Sequence, residues 1–289
     1  GINAEYGISK ENQVVLNQEL LLKYRLKLTL KQVEDAQEGE VVNGCLILKK
    51  EEYKTLIFQI RNDFSAVIAL NLKRASSNMF FKVKKLKTVL MLNAEEIADG
   101  QMIDDRYSGA FAETPLESCY FPKLQRAGKA AFFKCNIRSI GEQNFPVLQA
   151  VGQSAFAGCP LASVNLPSLI LVGQEGFRHC ERLRRFSAQN LQEIGENCFS
   201  NCPELLSIDC DLGPKKFTCS KCYVCPVCIG TLSECLRKGT TPRKQIGLFV
   251  SQLKLARYKM NEQKQIDRKD MELQMLRIKL EDTLEIGGE

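Results

Sequence analysis

The 289-residue sequence has one histidine, no tryptophan and no run of 18 apolar residues. A catalytic triad or a Cys–His pair would have to use His179, which no recognisable nucleophile motif accompanies. No glycine-rich phosphate loop is present, because Gly152, Gly173 and Gly195 are spread along the chain. A transmembrane helix needs about 20 apolar residues in a row, so no membrane span is predicted. These absences argue against an enzyme, and we predict a non-catalytic protein.

Charge is unevenly distributed along the chain. The formal net charge is +6, and the whole excess of basic residues lies from Pro214 onward. In the final helical segment the basic residues are interspersed with acidic ones, which indicates a solvated helix face rather than a nucleic-acid or membrane patch. We therefore expect no nucleic-acid partner.

The cellular compartment stays open at this point. The first residue is Gly1, and no basic segment followed by an apolar one comes after it. We expect either a fragment or a chain from which a leader has been removed. A cytoplasmic location is slightly favoured, and an extracellular one is the alternative.

The main feature of the sequence is a pattern that is repeated three times between Phe145 and Ile208. Each copy has a leucine, then Val or Ile followed by Gly, then Phe four residues later, Cys three residues after that, and further apolar residues. The Gly, Phe and Cys positions are Gly152, Phe156 and Cys159; Gly173, Phe177 and Cys180; and Gly195, Phe199 and Cys202. A period of this length is typical of a solenoid, in which no repeat can bury its apolar face alone.

The same spacing extends the array towards the N-terminus. The repeat phenylalanines are then Phe80, Phe111, Phe132, Phe156, Phe177 and Phe199, with a weaker copy around Phe58. The long step between Phe80 and Phe111 indicates an insertion of about nine residues. We expect this insertion to be a loop over residues 92–100, which are polar.

These positions resemble the BspA-type leucine-rich repeat, also called the Treponema-type or class 5 repeat, clearly over residues 72–210 and more weakly from Tyr53. The resemblance implies a right-handed solenoid with one short strand per repeat, of a kind that commonly provides binding or adhesion surfaces in bacteria and protists. We therefore predict an α/β fold, a right-handed leucine-rich-repeat solenoid with one short strand per 21–24-residue repeat, a cysteine-rich cap and a C-terminal α-helix. The motif specifies a fold more than a function, since one fold serves many functions.

Four segments are predicted: an N-terminal cap (1–52), the solenoid (53–212), a cysteine-rich segment (213–240) and an amphipathic helix (241–289). In the cap we expect a helix over 12–22 and then a strand over 25–31, where apolar and polar residues alternate. In residues 245–285, apolar residues at spacings of three and four predict a partner helix. That partner is either a second copy in a coiled-coil homodimer or the array itself.

Each repeat strand should place one apolar residue inward between two outward residues. Stacked in successive repeats, the outward residues form a surface that we call the strand ribbon. Its candidate binding residues are Tyr120, Ser139, Ser163, Asn165, Arg185, Ser187 and Asp209, and Ser118, Gly141 and Ser207 complete it.

The strand ribbon is short of charge and is therefore a poor match for phosphate backbones, whose recognition rests on Lys and Arg. It suits a protein or glycan partner held by hydrogen bonds, with Tyr120 and Arg185 as anchors. The alternative is that these are merely solvated strand residues. We predict a non-catalytic interaction module that presents a concave repeat surface for protein or glycan binding or adhesion; the partner's identity is open.

The cysteines fall into two groups. The repeat cysteines Cys135, Cys159, Cys180 and Cys202 share one slot and should form a column with a rung spacing of about 4.7–4.9 Å. That spacing permits a disulfide ladder, although a column of small buried thiols is favoured.

The second group follows the array, where Cys219, Cys222, Cys225 and Cys228 recur at intervals of three. Thiolates this dense can bind zinc or an iron–sulfur cluster, and a disulfide-stapled cap is favoured equally with zinc. The spacing departs from the usual zinc and ferredoxin patterns. Zinc is the candidate cofactor, and a metal-binding or redox protein centred on Cys219–Cys228 is the alternative function.

Overall fold

The structure is a computed structural model that describes residues 16–53, 58, 60–103 and 106–239, without the side chains of residues 102–107. The predicted helix over 241–289, with its homodimer contact over 245–285, lies outside the described residues. Within the described part, no helix has the length and apolar character needed to cross a membrane.

Most strands of the array lie in two long series of parallel strands, one from each of two positions in the repeat. The first position gives one parallel sheet of β2 (Cys45–Leu48), β3 (Ala66–Ala69), β5 (Thr88–Met91) and β9 (Ser118–Tyr120). β1 (Val41–Val42) extends this sheet as an antiparallel edge strand. The same position in later repeats gives a second parallel sheet of β11 (Ser139–Gly141), β13 (Ser163–Asn165), β15 (Arg185–Ser187) and β17 (Ser207–Asp209). The second position gives one six-stranded sheet of β4 (Arg74–Ala75), β6 (Glu96–Ile97), β10 (Arg126–Ala127), β12 (Ala150–Val151), β14 (Leu171–Val172) and β16 (Glu193–Ile194).

The predicted solenoid of short repeats is confirmed, with about seven turns of about 22 residues. Each full repeat contributes two short strands, whereas the resemblance implied one. Strands of two residues, such as Ala150–Val151, are too short to produce an alternating signal in the sequence.

The repeat phenylalanines form a continuous stack through the core. The ring of Phe156 is buried, and its centroid lies 5.0 Å from that of Phe132 and 5.7 Å from that of Phe177. The stack begins at Phe58 and continues beyond the predicted copies to Phe217. Pairs of this kind contribute about 0.5–1.5 kcal/mol beyond the burial of their area, so the stack ties neighbouring repeats together.

The repeat glycine lies where the backbones of adjacent turns approach closely. A Cβ on Gly152 would lie 2.7 Å from the carbonyl carbon of Gly128, and a Cβ on Gly195 would lie 2.3 Å from the amide nitrogen of Gln174. Such contacts would force the turns apart, so this close approach requires glycine.

The insertion between Phe80 and Phe111 is a hairpin and not the loop predicted over 92–100. β7 (Gln101–Ile103) pairs antiparallel with β8 (Arg106–Ser108). The residues expected to form the loop include β6, which pairs in register with β4 and β10. That prediction was wrong because Ile97 occupies a core position even though acidic residues precede it.

The N-terminal cap contains α1 (Gln18–Lys23) and α2 (Leu30–Asp35). The strand predicted over 25–31 was wrong, because a helix begins at Leu30. Thr29 and Gln32 form a capping box, in which each side chain accepts a hydrogen bond from the other residue's backbone N–H. This reciprocal cap stabilises a helix start.

The cap covers the outer face of the first sheet. Ile47, Ile68 and Leu90 are aligned on β2, β3 and β5, and they share an apolar cluster with Leu28 and Val33 of the cap. These strands are therefore buried on both faces.

The C-terminal end of the array is closed by a 3-10 turn (Pro214–Lys216), α3 (Pro226–Ile229) and α4 (Leu232–Gly239). α4 packs on β17 so closely that a Cβ on Gly239 would lie 1.9 Å from the carbonyl oxygen of Ile208. Leu232, Cys235 and Leu236 are buried in the main core.

Candidate functional site

Six of the seven candidate binding residues of the strand ribbon lie together on β11, β13, β15 and β17. Ser139, Ser163 and Arg185 are aligned on adjacent strands, and Asn165, Ser187 and Asp209 form a parallel line. The residues between the two lines, Ile140, Val164, Phe186 and Ile208, are buried. Ser139, Asn165 and Arg185 are exposed, and the other three are half-buried.

One end of the strand ribbon has internal hydrogen bonds. The Ser187 hydroxyl donates to Oδ2 of Asp209 at 3.0 Å, and the Gln189 amide donates to the same oxygen at 3.4 Å. The Asp209 carboxylate therefore already accepts hydrogen bonds from neighbouring side chains. Among the described residues no carboxylate forms a salt bridge with Arg185, so its guanidinium faces solvent with its charge unpaired.

Tyr120, the seventh candidate, lies apart from the other six. Its strand β9 pairs with β5 in the sheet that the N-terminal cap covers. The Tyr120 ring centroid is 5.9 Å from that of Tyr24, and the Lys23 ammonium also lies 5.9 Å from the Tyr120 ring. The Tyr24 hydroxyl donates to the carbonyl oxygen of Cys119 at 3.2 Å. Tyr120 therefore marks the boundary between the covered strands and the open ones.

The repeat cysteines are buried free thiols in the described structure, which favours the thiol column over the disulfide ladder. Each sulfur donates a hydrogen bond to a carbonyl oxygen of the preceding repeat, as Cys159 does to Phe132 at 3.0 Å. Burial raises the pKa of the Cys135 thiol to about 12. A thiol held in its protonated form is a poor nucleophile, so the column has a structural role.

The four cysteines after the array converge, even though their spacing is unusual for a metal site. All four sulfur atoms of Cys219, Cys222, Cys225 and Cys228 lie within 4.8 Å of one another. Lys221 and Tyr223, with φ of 55° and 64°, adopt left-handed conformations that turn the chain sharply between the first three cysteines. Cys225 is the N-cap residue of α3, and Cys228 lies within that helix.

Backbone N–H groups point at the sulfurs of this cluster. Burial alone would raise the pKa of Cys222, but hydrogen bonds from the N–H groups of Asn201, Val224 and Cys225 outweigh it and lower the pKa to about 5. The bond from Cys225 measures 3.4 Å. The cluster therefore stabilises a thiolate, which is the form of cysteine that binds metals.

The cluster has the dimensions of a site for one tetrahedral ion. Zinc–sulfur bonds of about 2.3 Å place the sulfurs of a tetrahedral site about 3.8 Å apart. The sulfurs of Cys222 and Cys228 are 3.9 Å apart. A four-iron cluster needs wider separations, because each thiolate binds a different iron atom. The four cysteines can thus hold a metal ion.

The chain's one histidine lines a depression of 660 Å³ on the turns that follow the repeat phenylalanines. Its Nε2 lies 3.3 Å from the amide nitrogen of Asn201. In the same depression the Ser154 hydroxyl donates to Glu175, and the Cys159 thiol donates to a main-chain carbonyl oxygen. Each potential nucleophile in this depression thus has a structural partner other than His179.

A comparison with known protein families agrees with the repeat pattern. Residues 105–221 match the BspA type leucine-rich repeat region in six copies. A solved leucine-rich repeat protein from Eubacterium ventriosum is similar at 14% identity over 63% of this chain and 72% of its own, with a TM-score of 0.27. No curated protein sequence gave a significant match.

Proposed function

We propose that this chain, which contains six BspA-type leucine-rich repeats, is a non-catalytic interaction module that binds a protein partner through the strand ribbon on β11–β17. The supporting observation is a change along one face of the array. In the column Ile47, Ile68 and Leu90 this face is apolar and covered by the N-terminal cap. In the corresponding column on β13–β17 it is polar, and no described segment covers it.

The side chains on the strand ribbon define the chemistry of the partner. They offer hydroxyl and amide groups and the guanidinium of Arg185, which pairs with no carboxylate of the described residues. This chemistry suits a polar protein surface that carries a carboxylate near its centre. Arginine is among the residue types that dominate interface energetics. The strands beneath are fixed by the backbone ladder and by buried side chains, so binding orders little of the chain and costs little entropy.

The cysteine cluster supports a second candidate function, that of a metal-binding or redox protein. Its four sulfurs fill all positions around a tetrahedral ion, whereas a catalytic zinc keeps one position open. The cluster therefore fits a structural role better, and we place function on the strand ribbon.

The test compares two double variants with the unmodified chain. Asn165→Ala with Arg185→Ala alters the strand ribbon, and Gln153→Ala with Gln174→Ala alters the turns after β12 and β14 as a matched control. Each protein is immobilised and exposed to a lysate of the source cell and, separately, to a glycan array, and the captured molecules are quantified.

We expect the strand-ribbon variant to lose at least about tenfold in capture of a protein, the effect of about 1.4 kcal/mol, with an unchanged melting temperature. The control should bind like the unmodified chain. Loss of binding in the control variant, with the strand-ribbon variant unaffected, would place the binding face elsewhere. Binding to the glycan array without capture of any protein from the lysate would show that the partner is a glycan.

A further inference from the structure

The cysteine cluster lies where the backbone hydrogen-bond ladder of the solenoid ends. In earlier repeats, the N–H of the second residue after the phenylalanine donates to a carbonyl oxygen of the next turn. The donor–acceptor pairs include Lys134 to Ala157, Gly158 to Arg178 and His179 to Ser200, each at 2.8 Å. In the last repeat the equivalent donor is Asn201, and no carbonyl oxygen of the described residues accepts from its N–H. The ladder at this position therefore ends beside the cluster.

The residues just before the cluster imitate the beginning of another turn. The Phe217 ring continues the aromatic stack, 6.1 Å from Phe199. The Asn197 N–H donates to the carbonyl oxygen of Thr218 at 3.1 Å, as its counterparts do in earlier repeats. The segment therefore forms a partial turn, on which no further repeat stacks in the described structure.

This partial turn buries little apolar surface of its own. Tyr223, Val224 and Ile229 are 75%, 42% and 52% exposed. A segment this small needs another source of stability, and metal ligation supplies folding free energy directly in small domains. The end of a solenoid also requires a capping unit.

We propose that Cys219, Cys222, Cys225 and Cys228 bind one zinc ion, and that this ion closes the C-terminal end of the solenoid by holding the partial turn against Asn197, whose N–H donates to Thr218 and whose amide oxygen accepts from the Ser220 N–H. The four soft sulfur ligands and their separations fit zinc. The Cys225 N–H donates to the Cys222 sulfur at 3.4 Å, a contact that suits an anionic thiolate ligand. This proposal concerns a structural site and stands independently of the strand ribbon.

The first part of the test measures metal in the full chain, purified under reducing conditions. We expect one zinc per chain and, after exchange with cobalt, the absorption spectrum of tetrahedral thiolate coordination. The double variant Cys222→Ser with Cys225→Ser should lose the zinc. Cys235→Ser, which alters a buried cysteine outside the cluster, should keep it. The cobalt spectrum of the unmodified chain decides the matter if the double variant does not fold.

The second part tests the coupling to the last repeat by amide hydrogen exchange. After zinc is removed by a chelator, the Asn197 amide, whose acceptor is Thr218 of the partial turn, should exchange about tenfold faster, the factor expected for one lost hydrogen bond. The His179 amide, whose acceptor Ser200 lies within the array, should change little. Absence of zinc, bound iron instead of zinc, or oxidised cluster cysteines would overturn the metal site. Unchanged exchange at Asn197 would overturn the role of the zinc ion as an end cap.

Discussion

The thiol of Cys159 donates a hydrogen bond of 3.0 Å to the carbonyl oxygen of Phe132 in the preceding repeat. The same contact joins Cys135 to Phe111, Cys180 to Phe156 and Cys202 to Phe177. Because the slot is buried, it favours a small side chain that can satisfy a main-chain acceptor. The repeat cysteines therefore link neighbouring turns through hydrogen bonds.

This role predicts that the repeat cysteines are unreactive in the folded protein. Burial raises the pKa of the Cys135 thiol to about 12 and holds that of Cys159 well above its usual value, so very little thiolate is present at pH 8. With a thiol reagent such as Ellman's, Cys135, Cys159, Cys180 and Cys202 should react only after denaturation. Fast labelling of these four in the native state would contradict the prediction, as would their failure to react in denaturant.

The aromatic stack predicts unequal effects at two adjacent positions. Phe177 is fully buried between Phe156 and Phe199, so Phe177→Ala should lower the free energy of unfolding by about 3–5 kcal/mol. Arg178→Ala is the control, because its ion pair with Glu175 is partly exposed and should contribute less than about 1 kcal/mol. Urea titration measures both values, and equal small effects would argue against the repeat assignment.

The N-terminal cap predicts another contrast. Leu28 is 1% exposed and packs in the cluster that covers the first sheet, so Leu28→Ala should cost about 2–5 kcal/mol. The neighbouring side chain of Lys27 is exposed, and Lys27→Ala should change stability little. Thermal unfolding of both variants makes the comparison. Similar melting temperatures for the two would show that the cap does not stabilise the sheet.

An ion pair on the six-stranded sheet predicts a dependence of stability on pH. Burial alone would raise the pKa of Asp99, but the Lys129 N–H at 2.7 Å and the Arg126 guanidinium at 2.6 Å lower it overall. A carboxylate whose pKa is lower in the folded state stabilises the fold above its unfolded pKa of about 3.9, and this effect is lost as the pH falls through the folded pKa.

We therefore expect Asp99→Asn to lower the free energy of unfolding near pH 7 by less than about 1 kcal/mol, since the pair is partly exposed. The difference between variant and unmodified chain should shrink below pH 4, as measured by urea titration at several pH values. A difference that grows on acidification would show that Asp99 does not stabilise the fold as a carboxylate.

The repeat slots and their inward residues could be predicted from the sequence, because the period places Phe156, Phe177 and Phe199 in equivalent positions that recur together. The second strand of each repeat could not be predicted from the sequence, because two extended residues are too few to show an alternation of apolar and polar side chains. The cap was also missed in part. Leu26, Leu28 and Leu30 alternate with polar residues, which is typical of a strand. The capping box of Thr29 and Gln32 is instead a signal for the start of a helix.

The candidate sites were predictable to different degrees. The period placed six strand-ribbon residues correctly on one sheet, but only the fold shows that Tyr120 packs against Tyr24 of the cap. The four cluster cysteines were visible as a run. The four sulfurs come together because Lys221 and Tyr223 adopt left-handed conformations. Lys and Tyr seldom adopt these conformations, so the sequence does not predict them.

The most direct test of the interaction face is photo-crosslinking by the full chain. A photoreactive amino acid replaces Asn165 on the strand ribbon or, as the control, Gln153 on the turn after β12, and each protein is irradiated in the lysate of the source cell. We expect a discrete crosslinked protein partner from position 165 and none from position 153. Crosslinking of one partner from position 153 alone would contradict it.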